Sequence, residues 1–313
     1  MSVSLLTYNQ RAWVGRAIDS ILAQRVNFRY EIIIGDDCSD DGTQEVLRDY
    51  QRRYPDRIFL ILHPRRYNHI PGRINNLTNL RACRGRYTAM LDGDDYWTDP
   101  NKLQKQFDLM EARADVAMCV HETAYEYAAA FAPTGHRYRY VSEAGGCRRT
   151  GIYRHEDIAC ENRLRVHIGS LFFRTRIYEQ VPAWFMRILP ADRALMLLIS
   201  QHGNVYYDAQ PGAVYYRNNA GFTAKAYLHR EGLEQRIRDV LTFADNFPII
   251  KTQRNYLRST AWMHFRLFKL SLREYRVVKC WHHLKATLRA DVRFPLVLSR
   301  NYWTTLKRSV GKA

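Results

Sequence analysis

Short apolar runs that end in polar turns recur along the first 125 residues, and between them apolar positions repeat at helical spacing. The pattern predicts strands at 3–7, 30–35, 58–62, 87–91 and 116–121. It predicts helices at 13–23, 43–54, 74–82 and 101–111. Such alternation builds a parallel sheet through right-handed crossovers. Asp41, followed three residues later by Gln44, predicts a capping box at the start of the second helix. Residues 122–170 read as loop-rich, with Tyr125, Tyr127, Tyr138, Tyr140 and Tyr153 among Gly and Arg. Beyond them the pattern gives a strand at 170–174, a helix at 192–201 and short strands at 205–208 and 213–217. The remainder reads as helices. There Leu257, Ala261, Phe265, Phe268, Leu272 and Tyr275 recur four and three apart as an apolar stripe flanked by Arg and Lys.

With 46% apolar residues over 313 positions, the chain can bury one large core or two modest ones. No run approaches the ~20 apolar residues of a membrane span. The segment Met1–Thr7 lacks the basic, apolar and cleavage regions of a signal peptide and reads as the first strand. Six cysteines without a paired spacing then predict reduced thiols in a cytosol. Cys147, His155, Cys160 and His167 match no common zinc-finger spacing. Charge changes the picture at the C-terminal end. Residues 226–313 carry 18 Lys+Arg against 6 Asp+Glu, a net +12, whereas residues 1–225 carry only +5. Two regions are therefore expected, 1–225 as an α/β domain and 226–313 as a basic helical extension. The basicity marks either an interaction surface or a solvated helical face.

Candidate chemistry lies where two apolar runs stop. Glu31-Ile32-Ile33-Ile34-Gly35 ends on Asp36-Asp37, and Tyr87-Thr88-Ala89-Met90-Leu91 ends on Asp92-Gly93-Asp94-Asp95. In open α/β sheets the ligand crevice lies at the carboxyl ends of the strands, so both clusters open on one mouth. Crowded carboxylates repel unless a cation shares them, and a hard divalent ion is the usual partner for oxygen ligands. So few protein ligands leave room for water and a diphosphate, which points to a nucleotide–metal site. No G-x-G-x-x-G follows the first strand, which argues against a dinucleotide fold.

Four ordered blocks make the pattern specific. They are Val3-Ser4-Leu5-Leu6-Thr7-Tyr8-Asn9, Ile33-Ile34-Gly35-Asp36-Asp37-Cys38-Ser39-Asp40-Asp41-Gly42-Thr43, Ala82-Cys83-Arg84-Gly85-Arg86-Tyr87 and Leu91-Asp92-Gly93-Asp94-Asp95-Tyr96-Trp97-Thr98-Asp99-Pro100. Across about residues 2–223 this resembles the inverting glycosyltransferases of family 2. The resemblance implies a GT-A (Rossmann-like) fold, a mostly parallel sheet flanked by helices, with the helical C-terminal extension added. It implies Asp37 as acceptor for a ring N–H of uracil or thymine, with Asp36 structural. Asp92-Gly93-Asp94 looks like the family's Asp-x-Asp motif, Asp94 meeting Mn²⁺ or Mg²⁺ and Asp92 the sugar side, with Asp95 sharing either task. The metal would take up charge developing on the leaving diphosphate. Gly93 suits a backbone that must approach its neighbour closely. Thr7 and Asn9 would line the base, and Asn75 would lie on the ribose side. Asp192, in Pro190-Ala191-Asp192-Arg193, matches the position of the family's general base beside the acceptor hydroxyl; the residue type also suits a helix cap. Val214-Tyr215-Tyr216-Arg217-Asn218-Asn219 resembles the closing Tyr-Arg-x-His segment, with Asn219 in place of His. Arg217 and Lys225 would then neutralise phosphate, and Gly221-Phe222-Thr223 would form the lid that follows. Trp97 suits either a sugar platform or the core.

The implied function is an inverting transfer of a sugar from a nucleotide-diphosphate donor, UDP or dTDP favoured, to a hydroxyl of a glycan or lipid-linked glycan. That places the protein in surface polysaccharide synthesis, in the cytoplasm or peripheral on the inner face of the membrane. Trp262, Trp281, Tyr302 and Trp303 in a basic helical region suit a bilayer surface; a helical cap or an oligomer contact are the alternatives. A nucleotidyltransferase would want a Gly-rich, basic signature after the first strand, which Tyr8-Asn9-Gln10-Arg11 is not. A catalytically inactive sugar-nucleotide-binding protein of the same fold is separated only by activity. A nucleic-acid-binding protein using the basic helices would leave the carboxylate ends unexplained, and no nucleic acid is expected.

Overall fold

The computed structural model describes residues 1–66, 72–129, 138–144, 149–159, 164–176, 181–218, 230–252, 254–273 and 277–290. The chain divides into two compact units, Met1–Gly221 and Phe222–Ala313.

The first unit is built on β1 (Ser2–Thr7), β2 (Glu31–Asp36), β3 (Ile58–Leu62) and β4 (Tyr87–Asp92), joined through α1 (Val14–Leu22), α2 (Thr43–Arg53) and α3 (Arg73–Ala82). Then come β5 (Tyr96–Trp97), α4 (Lys102–Ala112), β6 (Val116–Tyr127), β7 (Gly151–Tyr153), α5 (His155–Ala159), β8 (Phe172–Arg174), α6 (Ala191–Ser200) and β9 (Asn204–Arg217). These strands form one sheet in the order β3-β2-β1-β4-β8-β6-β9-β5, with β7 paired to β9. β1 pairs in parallel with β2 and β4, and β2 with β3. β8 is antiparallel to both β4 and β6. The α/β architecture with a mostly parallel sheet is therefore the one expected.

The reason is local. Val3 and Leu5 on β1 and Ile32, Ile33 and Ile34 on β2 are buried, so these strands have helices over both faces. α1 buries Val14, Ala17, Ile18 and Ile21, which fall on one stripe.

Three features differ from the sequence pattern. β6 extends to Tyr127, so Tyr125 and Tyr127 lie on a strand, paired with Tyr215 and Arg217 of β9. Residues 205–208 and 213–217 are one strand. The Pro211-Gly212 step that looks like a break is absorbed as a bulge, the register moving from His121↔Asp208 to Glu122↔Pro211 to Thr123↔Ala213. The capping box does not form as predicted. Asp41 does accept the Thr43 amide at 3.0 Å, but Gln44 donates to Asp36 at 2.7 Å. Gly42, at φ 92°, makes the left-handed turn into α2.

The second unit holds α7 (Arg230–Asn246), α8 (Arg254–Arg273) and α9 (Val277–Ala290). Leu233 and Ile237 of α7 pack on Met263 and Leu267 of α8. The buried face of α8 therefore runs through Met263 and Leu267, beside Ala261, while Phe265 and Phe268 are only partly covered. The side chains of Leu257, Leu272 and Tyr275 lie outside the described residues. Among the described residues, no helix is long and apolar enough to cross a membrane.

Candidate functional site

The adjacent carboxyl ends of β1, β2 and β4 form the mouth. Thr7 pairs with Asp36, and Leu6 with Asp92, so the two acidic clusters flank the end of β1. The Asp37 amide donates to the Thr7 carbonyl at 3.1 Å, and the Gly93 amide to Leu6 at 2.8 Å. These bonds fix both turns to β1.

Asp36 is fully buried, and its carboxylate accepts from the Ser39 amide, the Ser39 hydroxyl and Gln44. It organises the turn and is saturated there. Asp37 is also buried, but its carboxylate is lightly held: Gly72 N–H donates at 3.2 Å and Arg66 Nε stands 3.9 Å away. Burial raises its pKa, opposed by Gly72 and Arg66. Arg66 also lies over the ring of Tyr8, 3.9 Å from its centroid. Arg66 thus lies against both the Asp37 carboxylate and the Tyr8 ring, on one side of Asp37. Neither Tyr8 nor Arg66 stood out from the residue pattern, because their proximity depends on loops that follow two different strands.

Thr7 is buried with its hydroxyl unpartnered among the described residues. Asn9 adopts φ 52°, and its side-chain amide exchanges two hydrogen bonds with Asp40, at 2.9 and 3.0 Å. It zips the loop after β1 to the loop after β2. Asn75 is buried and donates to the Gly35 carbonyl at 2.8 Å. A Cβ on Gly35 would come 2.1 Å from Asn75 Oδ1, which is why glycine stands there. Asn79, one turn further along α3, was not singled out from sequence. Its Nδ2 donates to Ser4 Oγ, Leu5 O and Ile33 O, at 2.9 to 3.0 Å, and so fastens α3 across β1 and β2.

The four-residue turn Asp92–Asp95 divides its carboxylates by direction. Asp92 and Asp94 remain partly exposed at the mouth, whereas Asp95 is turned inward and 1% exposed. Asp95 accepts the Tyr216 amide at 2.9 Å, and its other oxygen faces His167 Nε2 at 3.5 Å. His167 stacks on Tyr215 with centroids 4.2 Å apart, and its Nδ1 accepts from Gly169 N–H. Burial, reinforced by Arg217, drops the His167 pKa to about 3, so the ring is neutral and its Nε2 proton faces Asp95. Gly93 does stand at a close approach, to the protein itself: a Cβ would lie 2.5 Å from Gln10 Oε1 and 3.0 Å from Thr7 Cβ.

Asp92 is raised by burial, then by the charges of Asp94 and of Asp192. Asp192, in the first turn of α6, is therefore close enough to be felt at the mouth. Its Oδ1 accepts the Arg193 amide at 2.7 Å. Asp94 is also raised by burial, opposed by its own amide, Asn218, Gln10 and Arg16. Asn218 Nδ2 stands 3.5 Å from Asp94 Oδ2. Asn219, Gly221, Phe222, Thr223 and Lys225 lie outside the described residues.

The donor set at the mouth is all hard oxygen, and its carboxylates raise one another's proton affinity. Both facts suit a hard divalent cation, for which Asp94 would be a ligand. Among the described residues, no three His, Cys, Asp or Glu side chains converge as a self-sufficient metal cage. Trp97 is core: it is 4% exposed, donates to Gly169 O at 2.8 Å and carries Lys102 over its ring. The sugar-platform alternative for it is thus excluded.

An open α/β sheet with paired aspartates at its carboxyl mouth defines the GT-A class, and solved structures agree. The chain superposes on Staphylococcus aureus TarS in complex with UDP-GlcNAc with a TM-score of 0.59, at 12% identity, covering 94% of this chain and 91% of that one. A second likeness is the mannosyltransferase PcManGT of Pyrobaculum calidifontis, in complex with GDP-Man and Mn²⁺ (TM-score 0.55, 15% identity, 98% and 79% coverage). The family model for glycosyl transferase family 2 matches residues 2–176, and the chain belongs to that family. An uncharacterized protein of Mycobacterium tuberculosis is 31% identical over 234 residues, 74% of this chain but 62% of that protein's length. A Bacillus subtilis protein, TuaG, named for teichuronic acid biosynthesis as a glycosyltransferase, is 34% identical over 114 residues, 36% of this chain and 43% of its own.

Proposed function

We propose that the protein transfers a sugar, with inversion, from a nucleotide-diphosphate donor to a hydroxyl of a glycan acceptor in surface polysaccharide synthesis. The observation that carries this reading is the meeting of Asp37, Asp92 and Asp94 at one mouth, within electrostatic reach of Asp192. Family membership supports the reaction class, and TuaG's name supports a polysaccharide acceptor. Asp37, buried and lightly held, is the acceptor for a base N–H, with Arg66 and the Tyr8 ring on one side of it. This favours UDP or dTDP, and the TarS complex shows the fold holding a uridine nucleotide.

Asp94 is the metal-side carboxylate and Asp92 the sugar-side one. A Mn²⁺ or Mg²⁺ held there supplies positive charge for the departing diphosphate. Asp95, Asn75 and Asn9 act by holding the turns, since their side chains are committed to Tyr216, Gly35 and Asp40. Thr7 lines the mouth. Asp192 takes the proton from the acceptor hydroxyl as that oxygen attacks the anomeric carbon from the face opposite the diphosphate. Arg217, at the end of β9, neutralises phosphate.

The basic extension is read as a membrane-surface element that keeps the enzyme near a lipid-linked acceptor. Trp262 and Trp281 are exposed, and each carries a cation over its ring, Arg266 at 4.8 Å and Lys285 at 5.1 Å. Helices α8 and α9 together hold eight Lys or Arg and no Asp or Glu. Such faces suit anionic headgroups.

The donor site is tested by thermal shift with UDP, dTDP and GDP, with and without Mn²⁺, on wild type and Asp94→Ala. We expect metal-dependent stabilisation by UDP or dTDP, lost in the variant. Stabilisation by none of the three would overturn the reading.

A further inference from the structure

We propose that Arg73 is the positioning residue for the general base Asp192, and that α3 carries this link from the nucleotide pocket; the inference rests on the transferase reading above. Arg73 is the first residue of α3 and is only 3% exposed, which is rare for an arginine. Its guanidinium lies over the ring of fully buried Phe185, 4.3 Å from the centroid. The same group donates to the carbonyl of Ile188 and, at 3.1 Å, to that of Leu189. These residues lead straight into α6. Leu189 O also accepts the Ala191 amide at 2.9 Å, and Pro190 O accepts Ala194 N at 3.1 Å. Arg73 therefore grips the two carbonyls just ahead of Pro190, the N-cap of α6, four and three residues before Asp192.

The other end of the link is one residue away. Gly72, with φ 72°, precedes Arg73 and gives its amide to Asp37. Asn75 and Asn79 bind the rest of α3 to the ends of β1 and β2. One rigid helix thus holds both the carboxylate assigned to the base and the segment that aims Asp192. The side chains of Ile188, Leu189 and Pro190 carry no acceptor, and Arg73 binds two of the three backbone carbonyls of this segment. A misplacement of about 1 Å in such a group costs about 10²-fold in rate. Lysine would keep the charge but could not grip two carbonyls while stacking on Phe185.

The test uses the full chain with Arg73→Met, Arg73→Lys and Asp192→Asn. Its first readout needs no turnover: hydrogen exchange at the Ala191 and Ala194 amides, with UDP and Mn²⁺ affinity measured alongside. We expect exchange at these amides to rise at least 10-fold in Arg73→Met, with partial recovery in Arg73→Lys and UDP affinity within about 2-fold of wild type. The second readout is release of UDP from UDP-GlcNAc or UDP-glucose with water as acceptor. Arg73→Met should lower kcat roughly 10- to 100-fold with KM little changed. In the Asp192→Asn background the same change should add less than 2-fold. Unchanged exchange at Ala191 and Ala194, or equal rate losses in both backgrounds, would overturn the proposal. Should Arg73→Met not fold, Arg73→Lys with wild-type exchange and kcat overturns it equally. A wild type that neither binds UDP nor releases it would instead sink the transferase reading and leave the exchange result to decide the link.

Discussion

Asn79 shows how much of this mouth depends on single buried amides. Its Nδ2 reaches two backbone carbonyls and one hydroxyl on neighbouring strands, all in a place closed to water. Replacing it leaves those acceptors without the donor that water cannot supply. Asn79→Ala should destabilise the fold by about 1–3 kcal/mol, measured by urea unfolding. Asn79→Asp should cost more, because an ionised carboxylate would face three oxygens. If Asp proved as mild as Ala, the amide's donor role would be wrong. At this scale the sequence was half legible. Asp37, Asp92 and Asp94 announced themselves by clustering at strand ends. Asn75, Asn9 and Asp95 stand out with them, but which way each side chain turns depends on partners 31 to 121 residues away. Asn79 and Arg73 carry no local mark at all, and Tyr8, though inside the first motif block, carries none of a role of its own.

At the scale of elements, α4 carries an ionisable group under strain. Lys102 is 2% exposed, sits 4.1 Å over Trp97 and donates to Gln106 at 2.8 Å. Burial, opposed by Cys119 and Asp99, lowers its pKa to about 7. Between about pH 7 and its ordinary value near 10.5 the unfolded chain binds the proton that the folded chain releases. Lys102 therefore weakens the fold at low pH, and this penalty fades as pH rises through that window. Lys102→Met should remove the trend, so that melting temperature no longer climbs from pH 7 to 9 relative to wild type. Parallel pH profiles for the two proteins would refute this. The long strands make the complementary point. Pro211-Gly212 looks like a strand end locally, yet β6 on one side holds β9 in the sheet through a bulge. Neighbouring strands outvote the local turn signal.

For the whole molecule, the two units differ in charge as well as fold. Two thirds of the basic excess of residues 226–313 resides in α8 and α9, with +8 of the net +12, whereas α7 carries four acidic and three basic residues. If those helices meet lipid, the full chain should float with vesicles containing phosphatidylglycerol and remain unbound with phosphatidylcholine alone. Each cation removed near the surface weakens binding by about 1 kcal/mol. Lys285→Glu with Arg289→Glu should therefore lower partitioning at least 10-fold while leaving the UDP thermal shift unchanged. Equal flotation by both proteins would favour a helical cap or an oligomer contact.

The sequence by itself determined the strand–helix rhythm, because burial on both faces writes itself as continuous apolar runs. It also determined which carboxylates reach the mouth, because strand ends follow from where those runs stop. Only the tertiary structure decided which of these carboxylates stay open and which are spent on holding turns. That choice rests on hydrogen-bond partners brought in from distant segments, and no periodicity encodes them. The same holds for Trp97, buried by contacts with Gly169 and Lys102, and for Arg73, whose grip on the entry to α6 spans more than a hundred residues.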